Sequence, residues 1–392
     1  MSSEKKVDRR AYLKYIGSFI IGAVIFGGSI AAYYASLPAA KEVITKTITT
    51  TISGPTITQT VTVTATPTPS PTPSPTPSPA PKPPPTYVPG EIKYITILTG
   101  GVGGAWHMAG PVVAKIINEF IDPNISCKVL PGGGVENAIA LQKGVDADLA
   151  WASWVASGSL WKGKEGKPKL ADEPHNKLRA ICTFYPARWQ MLVWADSPIR
   201  KIPDLLGKRI NPGRPGFIGE LTSRLVLETY GITYDDIKKA GGSVTFGDYP
   251  DAVAGMKDGL LDAFAIMGSI PMAPGIEVAA KAPIRCLPVD PEIIDKLNKL
   301  NPGYIPIIMP KDTYRGVEEV LTVGEYYGFQ CRADLPEGFI YRLTKHLWEN
   351  RERLVAISPI YKLFQPDMVL KGIPIPLHPG AEYYWREIGL LK

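Results

Sequence analysis

A glycine-rich loop is the first stretch of this sequence whose residues could do chemistry. The residues G-V-G-G-A-W-H-M-A-G occupy positions 101–110, directly after the apolar run Tyr94–Leu98. A strand, a glycine loop and then a helix present backbone N–H groups and the positive end of the helix to an anion. A phosphate, a dinucleotide or a free carboxylate would each satisfy those donors.

The spacing of the glycines argues against nucleotides. A dinucleotide-binding loop needs G-x-G-x-x-G, but from Gly101 and Gly103 the third glycine position falls on Trp106, and no acidic residue follows the second strand to hold a ribose. None of the glycine loops contains the G-K-[ST] of a P-loop. Reversible binding of a small acid therefore remains.

Residues that would mark an enzyme are missing from the sequence. There is no G-x-S-x-G motif, and the four histidines lack H-E-x-x-H spacing. Isolated cysteines make a zinc site improbable and leave disulfides and buried free thiols as alternatives: these are Cys127, Cys182, Cys286 and Cys331. We expect no catalytic residue, metal or cofactor, and the net charge of +6 does not indicate nucleic acid.

The first 40 residues have the composition of a membrane anchor. A basic tail at 1–14 precedes an uncharged, largely apolar run, and we predict the membrane span at 15–36. About 20 apolar residues cross a bilayer, and the basic flank keeps the N terminus cytoplasmic. The residues D-R-R-A-Y-L-K at 8–14 also resemble a twin-arginine export signal. No small-x-small cleavage site follows, which favours an uncleaved anchor.

Residues 37–90 are predicted to form a disordered linker. Thr, Ser and Pro make up 32 of the 50 residues from 41 to 90, which include the proline repeat P-T-P-S-P-T-P-S. Such a composition cannot bury enough apolar surface to form a core. We therefore expect a stalk that holds the rest of the chain outside the membrane.

The remaining 300 residues repeat one α/β order twice. In the first half, strand, helix, strand, helix and strand are predicted at 92–98, 111–120, 127–130, 135–143 and 148–151. The second half follows the same order at 208–210, 220–230, 243–246, 251–257 and 262–266, with N-P-G-R-P-G-F-I-G as its loop. Parallel strands bind ligands beyond their carboxyl ends, so two such lobes would face one cleft.

We predict that the chain crosses from one lobe to the other twice, near Trp194 and near Arg285. This divides the folded part into 91–193 for lobe 1, 194–285 for lobe 2 and 286–392 for a return to lobe 1. The returning segment is predicted to contain helices at 291–300 and 337–350, a strand at 327–332 and a last helix from Gly380.

From Ile92 to the C terminus the chain resembles the TAXI receptors, the extracytoplasmic solute-binding proteins of TRAP transporters. The resemblance is carried by I-L-T-G-G-V-G-G (97–104), G-G-G-V-E-N-A-I-A-L-Q-K-G-V-D-A-D-L-A-W-A (132–152), the segment 178–210 and P-L-H-P-G-A-E-Y-Y-W (376–385). It implies a monomeric receptor domain with a type II periplasmic-binding-protein fold and a ligand cleft between its lobes.

The resemblance also implies partners and leaves alternatives open. The ligand would be a small organic acid or amino acid, which can be glutamate-like, a dicarboxylate or more apolar, and the partner a TRAP-type permease in the same membrane. A binding protein of another transporter class, a sensor module and an exported enzyme are the alternatives. A sensor would need a cytoplasmic signalling domain, whereas only about 14 residues are predicted inside.

Site residues of the first lobe follow from its two glycine loops. The loop amides should contact the ligand, and Trp106 and His107, which stand where relatives commonly have two tyrosines, could stack on it or be buried against the neighbouring helix. Asn137 could instead hydrogen-bond only at a helix start. The predicted set is Gly101, Gly103, Gly104, Ala105, Trp106, His107, Gly134, Val135 and Asn137.

The second lobe departs from the family pattern. Relatives tend to carry P-G-S-G-T, whereas here Pro215 and Gly216 are followed by Phe217, Ile218 and Gly219. Two hydroxyl positions are lost, which favours a more apolar acid. Arg188 or Arg214 could hold a carboxylate, although a solvated arginine is the alternative for each. The predicted residues from strand ends and from this lobe are Trp151, Ser153, Arg188, Trp189, Arg214, Gly216, Phe217, Met267 and Gly268.

Overall fold

The computed structural model describes residues 83–392 in full, and before them only the backbone of strands β1 (Val43–Thr50) and β2 (Ile57–Thr64). The predicted membrane span at 15–36 lies outside the described residues. Within the part that is described, no helix is both long enough and apolar enough to cross a bilayer.

The Thr-rich part of the predicted linker contains a β-hairpin. Strand β1 pairs antiparallel with β2, so that Val43 lies opposite Thr64 and Thr50 opposite Ile57. We had predicted disorder throughout 37–90, and the structure differs here. The reason is that Thr, Val and Ile, which dominate both strands, favour extended pleated backbone.

The end of the predicted linker belongs to the folded domain. Tyr87 is buried, with its ring centroid 5.8 Å from that of Phe339 and its hydroxyl 3.2 Å from Asp122 Oδ2. The same carboxylate oxygen accepts the N–H of Gly90 at 2.8 Å. The domain therefore begins several residues before the boundary at 91 that composition indicated, because one aromatic residue among the prolines finds a buried partner.

Replacing Tyr87 by alanine is expected to lower the free energy of unfolding by about 3 kcal/mol, since aromatic-to-alanine changes in cores cost this much. The change removes the packing on Phe339 and leaves Asp122 without one of its donors. Chemical denaturation would measure the loss. Val88→Ala is the matched control, because that side chain is 65% exposed, and an equal loss in both variants would contradict the anchoring role of Tyr87.

Ten strands form one mixed sheet that runs through both lobes. The first lobe contributes β3 (Tyr94–Leu98), β4 (Ser126–Leu130) and β5 (Leu149–Ser153), and β3 lies parallel to both of the others. The second lobe contributes β7 (Arg209–Asn211), β8 (Ser243–Val244) and β9 (Ala263–Gly268), again parallel to each other. The predicted repeat of one α/β order in two halves agrees with these two sets of strands.

Two long antiparallel strands connect the lobes. Strand β6 (Leu178–Trp194) and strand β12 (Val320–Arg332) pair with each other between β5 and β9. Two short strands, β10 (Ile284–Cys286) and β11 (Ile305–Met309), pair with β6 and β12 respectively. The complete order is β4-β3-β5-β12-β6-β9-β7-β8, with β10 and β11 off this path.

Helices cover both lobes. Those of the first lobe are α1 (Ala105–Phe120), α2 (Gly134–Lys143), α3 (Trp154–Trp161), α9 (Glu337–Glu349), α10 (Glu352–Ile357) and α11 (Pro379–Glu387). Those of the second are α4 (Ile218–Thr229), α5 (Tyr234–Lys239), α6 (Tyr249–Lys257), α7 (Ala273–Lys281) and α8 (Pro291–Leu300). Helix α1 begins six residues earlier than predicted, so Trp106 and His107 lie on its first turn.

The chain crosses between the lobes at other positions than we predicted. In β6 the pairing changes at Arg188, which lies opposite Gly324 of β12 and opposite Gly268 of β9. After β10 the chain remains with the second lobe, where Tyr314 donates to Gln190 at 2.8 Å, and it returns only along β12. The segment from 286 to about 323 therefore packs on lobe 2 rather than on lobe 1. The architecture is therefore mixed α/β, with two lobes joined by two crossings, as the sequence predicts.

Candidate ligand-binding site

A cavity lies between the two lobes, beside the glycine loop that follows β3. Its cavity volume is about 40 Å³ in this structure, which is room for a few water molecules. Both lobes line it, with Gly100, Gly101, Gly104, Ala105, Trp106, Gly132, Gly133, Gly134, Tyr185, Phe217, Ile218, Gly219, Tyr249, Met267, Gly268, Ser269, Met272 and Tyr327. The carboxyl ends of the parallel strands open here, as the α/β repeat predicted.

Three helices begin at this cavity without a side-chain cap. Their N-cap residues are Gly104 for α1, Gly133 for α2 and Phe217 for α4, and none of the three makes a capping hydrogen bond through its side chain. The first amides of a helix have no carbonyl partner within it, and the helix dipole adds a partial positive charge. Three such ends directed at one cavity form a site for an anion.

At the start of a fourth helix the N-cap amide already has a hydrogen-bond partner within the protein. Helix α7 follows Met272, which lines the cavity, but the Met272 N–H donates to the Tyr314 hydroxyl at 2.9 Å. In α2 the third amide, that of Glu136, donates across the cleft to the Gly216 carbonyl at 3.3 Å. The donors that remain for a ligand are therefore mainly the first amides of α1, α2 and α4.

The two glycine loops of the first lobe fit around Phe217 of the second. A Cβ atom added at Gly101 would lie 2.9 Å from Phe217 Cε2, and one added at Gly133 would overlap Phe217 Cδ1. Phe217 is buried as a result. The glycines therefore serve two purposes, since they let the backbone approach a ligand and they admit an aromatic ring from the opposite lobe.

Aromatic side chains supply the polar atoms of the cavity. The hydroxyls of Tyr249 and Tyr327 donate to the Met267 carbonyl at 3.3 and 3.5 Å. The buried Trp106 Nε1–H makes no hydrogen bond of good geometry, and it faces the Tyr185 hydroxyl; burial raises the pKa of that phenol well above its ordinary value, and this N–H lowers it. An unpaired buried donor at a cavity wall is available to a ligand.

Burial keeps these phenols protonated. It raises the pKa of Tyr249 to about 12 and raises the pKa values of Tyr185 and Tyr327 well above the ordinary value for tyrosine. Nearby charges and other phenols raise the values further in the case of Tyr327. All three side chains are therefore neutral at physiological pH and can donate a hydrogen bond.

An ion pair crosses the mouth of the cleft. Arg214 of the second lobe lies 3.7 Å from Glu136 of the first and 3.7 Å from Asp248 of its own lobe. The Arg214 guanidinium also lies over the Phe217 ring, 5.2 Å from its centroid. Arg214 is thus engaged at the rim with two carboxylates and a ring, and it does not line the cavity, although it was predicted to be able to hold a carboxylate.

Eight of the predicted site residues line the cavity: Gly101, Gly104, Ala105, Trp106, Gly134, Phe217, Met267 and Gly268. Gly216 lies at the rim, where its carbonyl accepts the Glu136 N–H. Gly103 adopts a positive φ of 84° and turns the loop toward α1. His107 and Val135 follow the first residues of α1 and α2, are partly exposed and do not line the cavity.

Five predicted residues are structural instead. Trp151 is fully buried between Phe184 and Phe329, and Trp189 donates to Ser223 at 2.9 Å. Ser153 caps α3, and Arg188 donates to the Ile308 carbonyl at 2.7 Å. Asn137 donates to the carbonyls of Thr99 and Trp151, so the alternative of a purely structural hydrogen bond describes it. None of these five residues lines the cavity.

Several lining residues were not predicted. The most informative are Tyr185 on β6, Tyr249 at the start of α6 and Tyr327 on β12, because they supply the phenol hydroxyls. Tyr185 stands three residues before Arg188 in the segment already singled out, and Tyr249 follows Asp248, which forms a capping box with Asp251. These neighbouring residues could have drawn attention to Tyr185 and Tyr249. The sequence does not show, however, that β6 packs against β12, which brings the rings of Tyr185 and Tyr327 to a centroid distance of 6.0 Å.

A buried carboxyl group lies on β12, two residues before Tyr327 of the cavity lining. Glu325 of β12 accepts hydrogen bonds through Oε2 from Ser153 Oγ at 2.7 Å and from the Val155 N–H at 3.0 Å, while its Oε1 has no partner. Desolvation raises its pKa to about 8 against the lowering effect of those hydrogen bonds. Glu325 does not line the cavity, and at neutral pH its carboxyl group is mostly protonated.

The described residues contain neither a metal-binding cluster nor a disulfide. Among the described residues, no group of three or more His, Cys, Asp or Glu side chains is placed to hold a metal ion. All four cysteines are free thiols, and only Cys127 is not fully buried. Of the two alternatives that the sequence left open, the structure has free thiols.

Comparison with known proteins gives a family. The model of the NMT1-like family matches residues 97–389, about three quarters of the chain. Among solved structures, the chain is similar to the periplasmic aliphatic sulphonate binding protein SsuA from Escherichia coli, with 15% identity, a TM-score of 0.37 and coverage of 76% of this chain and 79% of that one. It is similar to PhnD1 from Prochlorococcus marinus in complex with methylphosphonate, with 14% identity, a TM-score of 0.43 and coverage of 76% and 99%. On the strength of the family match, this chain belongs to the NMT1-like family.

Proposed function

We propose that this chain is a membrane-anchored extracytoplasmic solute receptor that captures a small carboxylate and delivers it, unchanged, to a TRAP-type permease. The single observation that supports this best is the cavity between the lobes, where three uncapped helix N-termini meet. Such a cavity binds an anion by backbone donors and contains no group arranged to transform it.

The transporter class and the anchor rest on the sequence. The TAXI resemblance from Ile92 onward supports a TRAP partner, and the basic and apolar residues before position 40 support a span at 15–36 that keeps the receptor at the outer face. We propose that the ligand contacts those lining residues that the sequence also predicted. Trp106 and Phe217 would contact it through their side chains, and Gly134 and Ala105 would donate their backbone N–H groups.

Binding without turnover is tested with the full-length chain purified in a mild detergent. Calorimetric titration with small acids is expected to give saturable one-to-one binding, and mass spectrometry of the ligand recovered after prolonged incubation should find it unaltered. A chemically changed ligand would identify an enzyme and would contradict the proposal.

The partner is tested by cross-linking in native membranes. We expect a multi-span permease without a nucleotide-binding subunit to be captured by the full-length chain when the ligand is present. Capture of a transporter ATPase would identify another transporter class, and capture of a signalling kinase would identify a sensor. Each of those two results would overturn the TRAP assignment.

A further inference from the structure

We propose that the ligand is a monocarboxylate with an apolar body and without an amino group. This inference rests on the proposed function, because it specifies which acid the receptor captures. It excludes two of the three ligand classes that the family resemblance leaves open, namely glutamate-like amino acids and dicarboxylates.

The acid group is assigned to the helix starts. The amides at the beginning of α1, α2 and α4 have no partners within their helices, and the Trp106 Nε1–H is an unpaired donor, itself buried, at the same cavity. A carboxylate accepts several such N–H groups at once. The neutral donors and the three helix dipoles together supply positive potential for one anionic group.

The body of the ligand faces apolar side chains. Phe217, Ile218, Met267 and Met272 line the cavity, and the tyrosines present their rings together with their hydroxyls. Phe217 and Gly219 stand where the family pattern P-G-S-G-T has its two hydroxyl residues. An apolar ligand leaves no polar group unpaired against these side chains, whereas a polar ligand would.

A second carboxylate would find no cation. None of the residues that line the cavity carries a charge. The two arginines nearest in sequence to the lining residues are engaged elsewhere, Arg214 with Glu136 and Asp248 at the rim and Arg188 with the Ile308 carbonyl. Burying a second charged group without a partner is costly.

An ammonium group would find no anion. Glu136, Asp248 and Glu325 all lie outside the lining. The first two face Arg214, and Glu325 accepts from Ser153 and the Val155 amide. Aromatic rings can bind a cation through their faces. Here, however, the positive ends of three helices occupy the same cavity and oppose a second positive charge.

Matched ligands test this inference on the full-length chain in detergent by calorimetric titration. One series compares 4-methylpentanoate with leucine, which adds only an amino group, with 2-methylglutarate, which adds a second carboxylate, and with the neutral 4-methylpentanamide. A second series compares 3-phenylpropanoate with phenylalanine. In the series whose body fits, we expect the monocarboxylate to bind about a hundredfold more tightly than every partner, because each partner leaves a polar group or a donor set unpaired.

The outcomes separate the inference from the proposed function. The inference would be overturned if the amino acid, the dicarboxylate or the quaternary ammonium compound N,N,N-trimethylglycine bound more tightly than the monocarboxylate. The protein would still be a solute receptor. Tighter binding of 3-methylbutane-1-sulfonate than of 4-methylpentanoate would overturn the carboxylate assignment alone. Absence of binding by every member of an extended panel of small acids, in folded protein shown to be free of ligand, would instead contradict the proposed function.

A variant tests where the acid group binds. Trp106→Phe keeps an aromatic ring but removes the Nε1–H, and we expect about a tenfold loss of affinity for the monocarboxylate. Trp161→Phe is the matched control, since Trp161 lies on α3 away from the lining and Arg179 lies over its ring. Equal affinities of the Trp106 variant and the unchanged chain would contradict this placement of the acid group.

Discussion

Gly133→Ala is expected to lower ligand affinity by about a hundredfold or more while changing the stability of the ligand-free chain by no more than about 1 kcal/mol. The backbone of Gly133 is extended, with φ −147° and ψ 160°, so alanine fits the local conformation. Its Cβ, however, would overlap Phe217 Cδ1 and lie 3.0 Å from the Gly216 carbonyl oxygen. Both contacts come from the opposite lobe. The methyl group would therefore oppose closure of the cleft rather than folding of either lobe.

A double-mutant cycle identifies the cause of this loss. In a Phe217→Ala background the ring that meets the new methyl group is gone, so Gly133→Ala should cost much less affinity there than in the unchanged chain. Gly101→Ala provides a graded comparison, because its Cβ would meet only the edge of the Phe217 ring at 2.9 Å and Tyr249 at 3.7 Å. Calorimetry measures the affinities, and thermal unfolding without ligand is the control. An equal loss in both backgrounds would show that the contact with Phe217 is not responsible.

The glycine loops show what the sequence could predict of this site. Their position after a strand and before a helix indicated amide donors for an anion, and the structure has helix starts there. The reason for Gly133 could not be predicted, because the ring that requires it lies about 80 residues later in the chain and in the other lobe. A close approach between two lobes leaves no signal in the local pattern of either segment.

The strand-end residues show a second limit. Trp151 and Ser153 do end a strand that leads to the cleft, as predicted, but neither residue lines the cavity, since Trp151 packs in the aromatic core and Ser153 donates to Glu325. Side chains alternate between the faces of a sheet, and the sequence does not say which face is the cavity. Tyr185 and Tyr327 were missed for the same reason, since their strands β6 and β12 become neighbours only in the folded protein.

The crossing predicted near Trp194 differs from the crossing in the structure because one long strand, β6, belongs to both lobes. The apolar residues from 189 to 194 continue the pattern of 178–187 without a turn signal, so the crossing was predicted at the end of the run near Trp194. In the structure β6 is one continuous strand that changes partners at Arg188. Pro186 lies two residues before this crossing, but β6 continues through it as one strand, so the proline does not mark the change of partner in the sequence. The two lobes themselves could be predicted, because each has its own strand and helix repeat.

Glu325→Gln is expected to remove a large pH dependence of stability. The pKa of Glu325 is about 8 in the folded chain against an ordinary value of 4.5, chiefly because burial disfavours the carboxylate. Between these two values the folded chain holds one proton more than the unfolded chain, so its stability falls as pH rises. The contribution of the protonated carboxyl group is complete below pH 4.5 and is lost as pH passes through about 8.

The size of the effect follows from the width of that interval. Each pH unit between the two pKa values changes stability by about 1.4 kcal/mol, so the whole interval amounts to a few kcal/mol, as an order of magnitude. Glutamine has the shape of the protonated acid and can still accept from Ser153 Oγ and the Val155 N–H. The variant should therefore match the unchanged chain near pH 5 and exceed it in stability near pH 8.5.

Denaturation of both proteins at intervals from pH 5 to pH 8.5 would measure this difference. Burial also lowers the pKa values of His175, His346 and His378, the last to about 4, and these groups make stability rise with pH, which is the opposite direction. They are the same in both proteins, so the difference between the two curves isolates Glu325. Glu319→Gln, at an exposed position just before the same strand, is the matched control and should follow the unchanged chain at every pH. Parallel curves for Glu325→Gln and the unchanged chain would mean that Glu325 is ionised in the folded protein, which would contradict the effect of burial on its pKa.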